Sequence, residues 1–474
     1  MANGISPIVL IAALAIGAAL RFYNLGALEI SADEGASWGA ASAPSIAEVI
    51  ARQAQLNPGK LPIHDLMLHG WIAILGSSLP AMRAMSAALG TITILLAYFV
   101  AIEIFSSDEP APERFDRNDI RMVAALGAML FAVNLIAVKY AREARMYPVM
   151  LAAVLAQVGI FLRTLRRGGF VNFIALAILT ASAIGANFSA VLVPATEGLW
   201  LIRVLARAGW KFSDDRVRRA WSVAMALGAG GCLLAPILLS SFHATSAATE
   251  GGIIRWIKPP PLYAPFALFN KATGTFAFPI LALLAIWGSI RGWRRGARDA
   301  IAFALLWMWT PPIIMMLASY ALTPIFIERY ALSCFVPFFI LAGLGIFELP
   351  AHQYRIAALA IAVALSLGHI YSYQRKSHDA QYREAIAAAD AELKPGETMT
   401  VVPTYAIEVL RYYLPQEHRE RAMRHDPKSP APAVLIIADQ NLTSDAVRKY
   451  RRSYPRLISR FRGVAVFRRA EGPP

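Results

Sequence analysis

The sequence predicts a polytopic α-helical membrane protein with about eleven spanning helices and a small C-terminal α/β domain. Three observations carry this expectation. Of the 474 residues, 57% are hydrophobic and only 16% are charged, against about 25% charged in soluble domains. The apolar residues gather in runs long enough to cross a hydrocarbon core. From residue 374 onward the composition shifts to alternating helical and strand patterns.

The net charge is +15. In a soluble chain that would suggest nucleic acid, but here Lys and Arg fall in loops between apolar runs, where they set topology. Anionic lipid or anionic glycan is the alternative use of that charge. The two cysteines, Cys232 and Cys334, lie inside apolar runs and form no disulfide framework. The first run lacks a basic leader and a small-residue cleavage site, so it reads as a retained span.

The expected spans are residues 5–20, 80–105, 122–138, 147–162, 171–186, 190–205, 221–241, 275–290, 300–320, 331–347 and 356–373. Basic loops at 163–167, 203–219 and 291–298 are each separated by two spans, which puts them on one side, the cytoplasm. The segment Ile63–Leu75 is apolar but short, and it contains His64, Asp65 and His69. Treating it as interfacial or re-entrant keeps the N-terminus and the loop around Arg355 on the cytoplasmic side. Outside then lie the loop 21–79, the short loop 139–147, the turn near Asn187, the loop 242–271, the turn 323–330 and the tail. This gives two domains, a membrane module over 1–373 and a soluble unit over 374–474. In the tail, 380–393 and 405–414 read as helices, and 398–403, 433–438 and 463–467 as strands.

Chemistry-bearing residues collect in the outer loops. Asp33-Glu34 follows the first span. A carboxylate at a membrane surface can serve as a general base or hold a divalent ion. The competing reading is a helix start over 36–43, with Ser31 or Asp33 as the cap and Glu34 favouring the dipole. Arg142 and Arg145, three apart, would share one helical face as a phosphate clamp, or else snorkel as anchors. Lys and Arg avoid short outer loops, so Lys139, Arg142 and Arg145 together imply a compensating need. Glu328-Arg329-Tyr330 repeats the argument. Lys60, before the Ile63–Leu75 segment, could reach a phosphate. His64 and His69, five apart, suit a shared metal poorly. The stretch 255–261 mixes Trp, Arg and Pro, and reads equally as a cleft wall or an interfacial belt. No phosphate-binding loop, dinucleotide fingerprint or zinc-protease motif occurs.

These residues resemble those of the GT-C membrane glycosyltransferases. The branch looks like the bacterial relatives of protein O-mannosyltransferases, the aminoarabinose transferase of lipid A and the rhizobial galacturonosyltransferases. The resemblance runs through roughly the first 350 residues. It rests on Asp33-Glu34, on Lys60-Leu61-Pro62 followed by His69-Gly70-Trp71 and Gly76, on Arg83 and Ser86, on Ala144-Arg145-Met146-Tyr147, and on Arg329-Tyr330. Leu61 stands where many relatives have the first of two prolines, and Ile63-His64-Asp65 where they are more apolar.

The resemblance implies inverting transfer from a polyprenyl-phosphate sugar to a hydroxyl of an envelope acceptor, at the periplasmic face of a bacterial inner membrane. It implies Asp33 as the base with Glu34 as its helper. It implies Lys60, Arg145 and Arg329 around the donor phosphate; with Arg142 from the clamp reading, and Tyr147 and Tyr330 beside these arginines, they form the expected donor-phosphate set. No cofactor is expected, although a divalent cation at Asp33 and Glu34 would be compatible. The partners are the lipid-linked donor, a glycan, lipid or protein acceptor, and membrane lipids, without nucleic acid. A transporter or a lipid-linked-glycan polymerase or ligase is the alternative. A transporter would place polar residues at the midplane, whereas here the charges gather at the span ends.

Overall fold

A computed structural model describes residues 5–57, 60–106, 115–235, 257–375, 380–424, 431–438 and 452–470. The chain forms two compact units. The first comprises Met1–Tyr23, Pro58–His64 and Arg83–Arg375, and the second Asn24–Asn57, Asp65–Met82 and Lys376–Pro474. Most of the loop 21–79 falls in the same unit as the tail.

In the first unit, seven helices among the described residues are long and apolar enough to cross a membrane. They are Ile5–Phe22, Leu79–Phe105, Tyr147–Arg167, Phe188–Arg207, Arg298–Ala321, Glu328–Phe347 and His352–Arg375. Two bent pairs raise the count to as many as nine among the described residues, against the eleven expected. The remaining two expected spans are helical but fall short. Phe170–Ala186 has 17 residues. Asp215–Leu233 opens on Arg216, Arg218 and Arg219, which shortens its apolar part, and residues 236–241 of the expected span lie outside the described residues.

The bends have local causes. Asn134 accepts a hydrogen bond from the Ala137 amide at 2.7 Å and so starts a new helix, Leu135–Ala141, bent 64° from Arg117–Ala132. Gly274, at φ 91°, ends Ala264–Thr273, and Ala277–Arg294 departs at 110°.

The helix Phe335–Phe347 is enclosed by Arg117–Ala132 and Ala277–Arg294. Both contacts run through glycine. A Cβ at Gly343 would lie 2.6 Å from the Gly127 amide nitrogen, and Gly288 meets Gly345 backbone to backbone. In lipid there is no hydrophobic drive between helices, so close approach at small residues supplies the association. At one end of the bundle, ion pairs tie spans together. Arg166 pairs with Glu103, Arg203 and Arg207 both with Asp299 at 2.7 Å, and Arg291 and Arg295 with Glu348 at 3.1 and 2.8 Å.

The second unit is built on a four-stranded sheet of β1 (Met399–Val402), β2 (Val434–Ala438), β3 (Arg456–Phe461) and β4 (Val464–Arg468), in the order β1-β2-β4-β3. β1 and β2 are parallel and the other pairs antiparallel. The expected strands are present. β3 is additional: it is an edge strand with a register shift between Leu457 and Ser459, and its two arginines and poor alternation mask the strand pattern. Helix Tyr382–Ala391 covers the sheet. The loop 21–79 is tied in by Glu29, which accepts from the Tyr382 and Arg383 amides at 2.6 and 3.2 Å. The Tyr413 hydroxyl accepts from the Ile30 amide at 3.1 Å. Ile63–Leu75 is a helix of 13 residues, about 20 Å at 1.5 Å per residue, too short to cross. His69 Nδ1 lies 2.8 Å from the Ala41 carbonyl, and the Trp71 indole donates to the Ala81 carbonyl at 2.7 Å.

Candidate active site

In the second unit, Ser31 is extended and caps the helix Ala32–Ala41. Its Oγ accepts from the Glu34 amide at 3.2 Å, while Glu34 Oε2 accepts from the Ser31 amide at 3.0 Å. This reciprocal box satisfies two amides that the first turn would otherwise leave open. The cap reading of the sequence thus holds for Ser31 and Glu34, four residues earlier than the expected helix start. It also divides the acidic pair: Glu34 is buried and engaged in the box, while Asp33 is exposed in the first turn. Its carboxylate there meets the positive end of the helix dipole.

The tail fixes this helix from behind. A Cβ at Gly35 would lie 3.2 Å from the Val409 amide nitrogen, and one at Gly39 2.7 Å from Glu408 Oε2. Only glycines let Ala32–Ala41 and Ile407–Tyr413 approach so closely. Glu408 is held by Arg411 at 2.7 Å, and the Trp38 and Tyr412 rings meet edge to face at 5.1 Å. The turn Thr404–Ala406 packs on the same helix. Burial, and then the Asp33 carboxylate, push the Tyr405 phenol up. Tyr405 is thus a neighbour of Asp33 that sequence reasoning missed, because some 370 positions separate them and no local motif marks it.

In the first unit the stretch from Lys139 to Tyr147 meets Glu328-Arg329-Tyr330. The Arg329 guanidinium lies 5.9 Å from the Tyr147 ring centre and 5.8 Å from that of Tyr330. The Tyr140 hydroxyl donates to Glu328 Oε1 at 3.3 Å, and Lys271 Nζ reaches the same oxygen at 3.0 Å. The Tyr140 and Tyr147 rings pack at 4.8 Å, and Lys139 lies over the Tyr140 ring at 4.9 Å. Lys271 was not among the expected residues, since a lone Lys at the end of a long loop carries no signal of its own.

One expectation fails. Arg142 and Arg145 do not share a helical face. The helix ends at Ala141 with Arg142 as its C-cap, and the chain turns through residues 142–146 before the Tyr147–Arg167 helix, which has proline in its first turn. Arg142 instead donates to the Leu20 carbonyl at 3.3 Å. Burial, and then the neighbouring Arg83, hold it below the usual guanidinium range. Arg145 is 1% exposed, and its carbonyl accepts from Ser86 at 3.5 Å. Arg83 and Ser86, one turn apart, thus face this stretch. Tyr147 is buried, and Lys60, Arg329 and Tyr330 are half-buried.

His64 and His69 do not converge: His64 is buried, and His69 Nδ1 faces the Ala41 carbonyl. Among the described residues no group of three or more His, Cys, Asp or Glu is arranged to hold a metal. Arg255 and Trp256 lie outside the described residues.

The whole chain superposes on the whole of ArnT from Cupriavidus metallidurans bound to undecaprenyl phosphate, at a TM-score of 0.62 and 14% identity. The chain has the GT-C fold. The Archaeoglobus fulgidus oligosaccharyltransferase in complex with Zn and sulfate matches over 95% of this chain and 71% of its own, with a TM-score of 0.58 and 12% identity. Archaeal oligosaccharyltransferase AglB from the same organism, in complex with an inhibitory peptide and a dolichol-phosphate, matches over 100% and 75%, with a TM-score of 0.55 and 10% identity. No protein-family model and no curated protein matches the sequence. In this chain the helix of Asp33 and the C-terminal sheet belong to one unit, and the arginine–tyrosine cluster to the other.

Proposed function

We propose that the protein is an inverting glycosyltransferase that moves a sugar from a polyprenyl-phosphate donor to a hydroxyl of an envelope acceptor. The observation that carries this reading is the cation cluster of the membrane unit. Arg145 is buried, and the Arg329 guanidinium lies 5.9 Å from the Tyr147 ring centre and 5.8 Å from that of Tyr330. Guanidinium groups packed on aromatic rings at a span end suit a lipid phosphate better than they suit water.

In this reading Asp33 accepts the proton of the acceptor hydroxyl. The acceptor oxygen forms its bond to the anomeric carbon as the bond from that carbon to the phosphate oxygen breaks. The polyprenyl phosphate leaves with the electron pair. Arg145, Arg329, Arg142 and Lys60, with the hydroxyls of Tyr147 and Tyr330, stabilise the charge that grows on the phosphate, commonly a large catalytic term. Glu34 acts through the cap and positions Asp33. A divalent cation would find Asp33 as the exposed carboxylate of the pair. The acceptor is a lipopolysaccharide or lipid A, another glycan, or a protein. The site and tail face the periplasm of a bacterial inner membrane. The domains act as a membrane module that holds the donor and an outer unit that carries the base.

The test replaces Asp33 with Asn and follows envelope glycans and polyprenyl-phosphate sugars by mass spectrometry, beside the wild type and a deletion strain. Loss of one sugar from one glycan, with the matching lipid-linked sugar accumulating in both mutants, supports the transferase. Full rescue of a deletion phenotype by Asp33→Asn would remove Asp33 from the chemistry and favour a transporter or a polymerase.

A further inference from the structure

The helix Tyr147–Arg167 begins beside the arginine–tyrosine cluster and ends at a second basic feature that the transfer chemistry does not use. Its 21 residues span about 31 Å at 1.5 Å per residue, the thickness of a hydrocarbon core. At its far end lies a cavity of about 450 Å³ bordered by Arg167, Gly168, Gly169, Phe173, Arg218 and Arg219.

We propose that this cavity binds the phosphate headgroup of an acidic phospholipid in the leaflet opposite the cation cluster. Three lining arginines face one carboxylate, Asp215, which is already paired with Arg218 along its own helix. The cavity therefore keeps a surplus of positive charge. Arg219 donates through Nε to the Leu165 carbonyl at 3.2 Å, which anchors it at the mouth and leaves its terminal nitrogens for a ligand. Gly168 and Gly169 sit at φ 66° and 101°, so the turn brings backbone close to the cavity where a side chain would be strained. The helix that follows, Phe170–Ala186, starts without any side-chain cap.

The surroundings place the cavity at headgroup depth. Phe170 and Val171 are 77% and 78% exposed beside it, and Trp210, Phe212 and Trp221 are exposed on the neighbouring elements. Exposed aromatics at a span end mark the membrane–water interface. A basic pocket between spans at that depth suits an anionic headgroup, with the apolar edge left for acyl chains.

The experiment uses the full chain released from detergent for native mass spectrometry, with phosphatidylglycerol or phosphatidylcholine added. Phosphatidylglycerol should be retained as one tight copy that phosphatidylcholine does not replace. The double variant Arg167→Gln/Arg218→Gln, which leaves the Arg219 anchor intact, should lose that copy, with at least tenfold weaker retention. Arg163→Gln/Arg216→Gln, which removes two arginines of the same membrane face outside the cavity, should keep it. Circular dichroism melting confirms that both variants fold. Equal loss in both variants, or retention unchanged in the cavity variant, overturns the proposal. So does binding of inorganic phosphate alone with no preference for phosphatidylglycerol. Lipid retention is read without any transfer assay, so this result and the test of Asp33 fail independently.

Discussion

Arg329 lies over the ring of Tyr147, its guanidinium carbon 5.9 Å from the ring centre. The two residues come from stretches more than 180 positions apart. The contact joins the start of the Tyr147–Arg167 helix to the turn Glu328–Cys334 that precedes the Phe335–Phe347 helix. A planar cation on a ring is held in one orientation, and a lysine ammonium could not copy it. Arg329→Lys should therefore lower kcat for sugar transfer by roughly 100-fold, the order seen when a preorganised donor is removed. Tyr147→Phe keeps the ring under the guanidinium and removes only the hydroxyl's share of the phosphate contact, so its loss should be the smaller of the two. Transfer assays in proteoliposomes check both, and equal losses in the two variants would count against the stacking argument.

The Ser31 cap makes a separate prediction. Ser31→Ala removes the acceptor of the Glu34 amide bond and should cost about 1 kcal/mol of stability. Ser31→Asp should restore it. Because Asp33 sits in that first turn, transfer should fall with the Ala variant and recover with Asp. Thermal melting and transfer rate, followed together, check whether cap and activity move in parallel.

Tyr405 tests whether the tail contributes at Asp33. The Asp33 charge acts on its phenol, so Tyr405→Phe should change the pH profile of transfer and lower its rate severalfold, with no change in melting temperature. A variant that melts earlier but keeps the wild-type pH profile would give Tyr405 a packing role instead.

Glu397 predicts a pH dependence of stability. Burial works against its ionisation, but the Lys394 amide and Arg468, whose Nη2 reaches both carboxylate oxygens at 2.9 and 3.0 Å, together hold its carboxyl below the usual range. A carboxyl with a depressed folded pKa stabilises above its unfolded pKa, about 4.3, and loses that contribution as pH falls through its folded value. The second unit should therefore melt progressively earlier below about pH 4.3. Glu397→Gln should flatten that slope and lower stability at neutral pH. Melting curves between acid and neutral pH decide it.

The glycine contacts give a packing prediction. Gly343→Ala would push a methyl into the Gly127 backbone, which cannot move aside as a side chain could. Overpacking of this kind costs about 1–3 kcal/mol and sometimes more. Gly368→Ala, in the helix His352–Arg375 with nothing within 4 Å, should be neutral or stabilise by up to about 1 kcal/mol. Folded yield and melting temperature in detergent separate the two.

The sequence by itself determined the membrane class, the place of each long apolar helix, the helical Ile63–Leu75 segment and three of the four strands. Apolar length and period act locally, and so they are visible in a run of letters. It also singled out the cations at 139–145 and 329, because in loops expected on the outer side they break a charge rule that holds segment by segment. Tertiary structure alone decided the rest. It placed the outer loop with the tail, because Gly35 and Gly39 admit a helix from beyond residue 400. It divided Asp33 from Glu34 by giving one to solvent and the other to a cap. It parted Arg142 from Arg145 by ending a helix between two spans, and it brought Lys271 to Glu328. Each of these depends on which distant backbone lies alongside, and periodicity and charge count do not encode that.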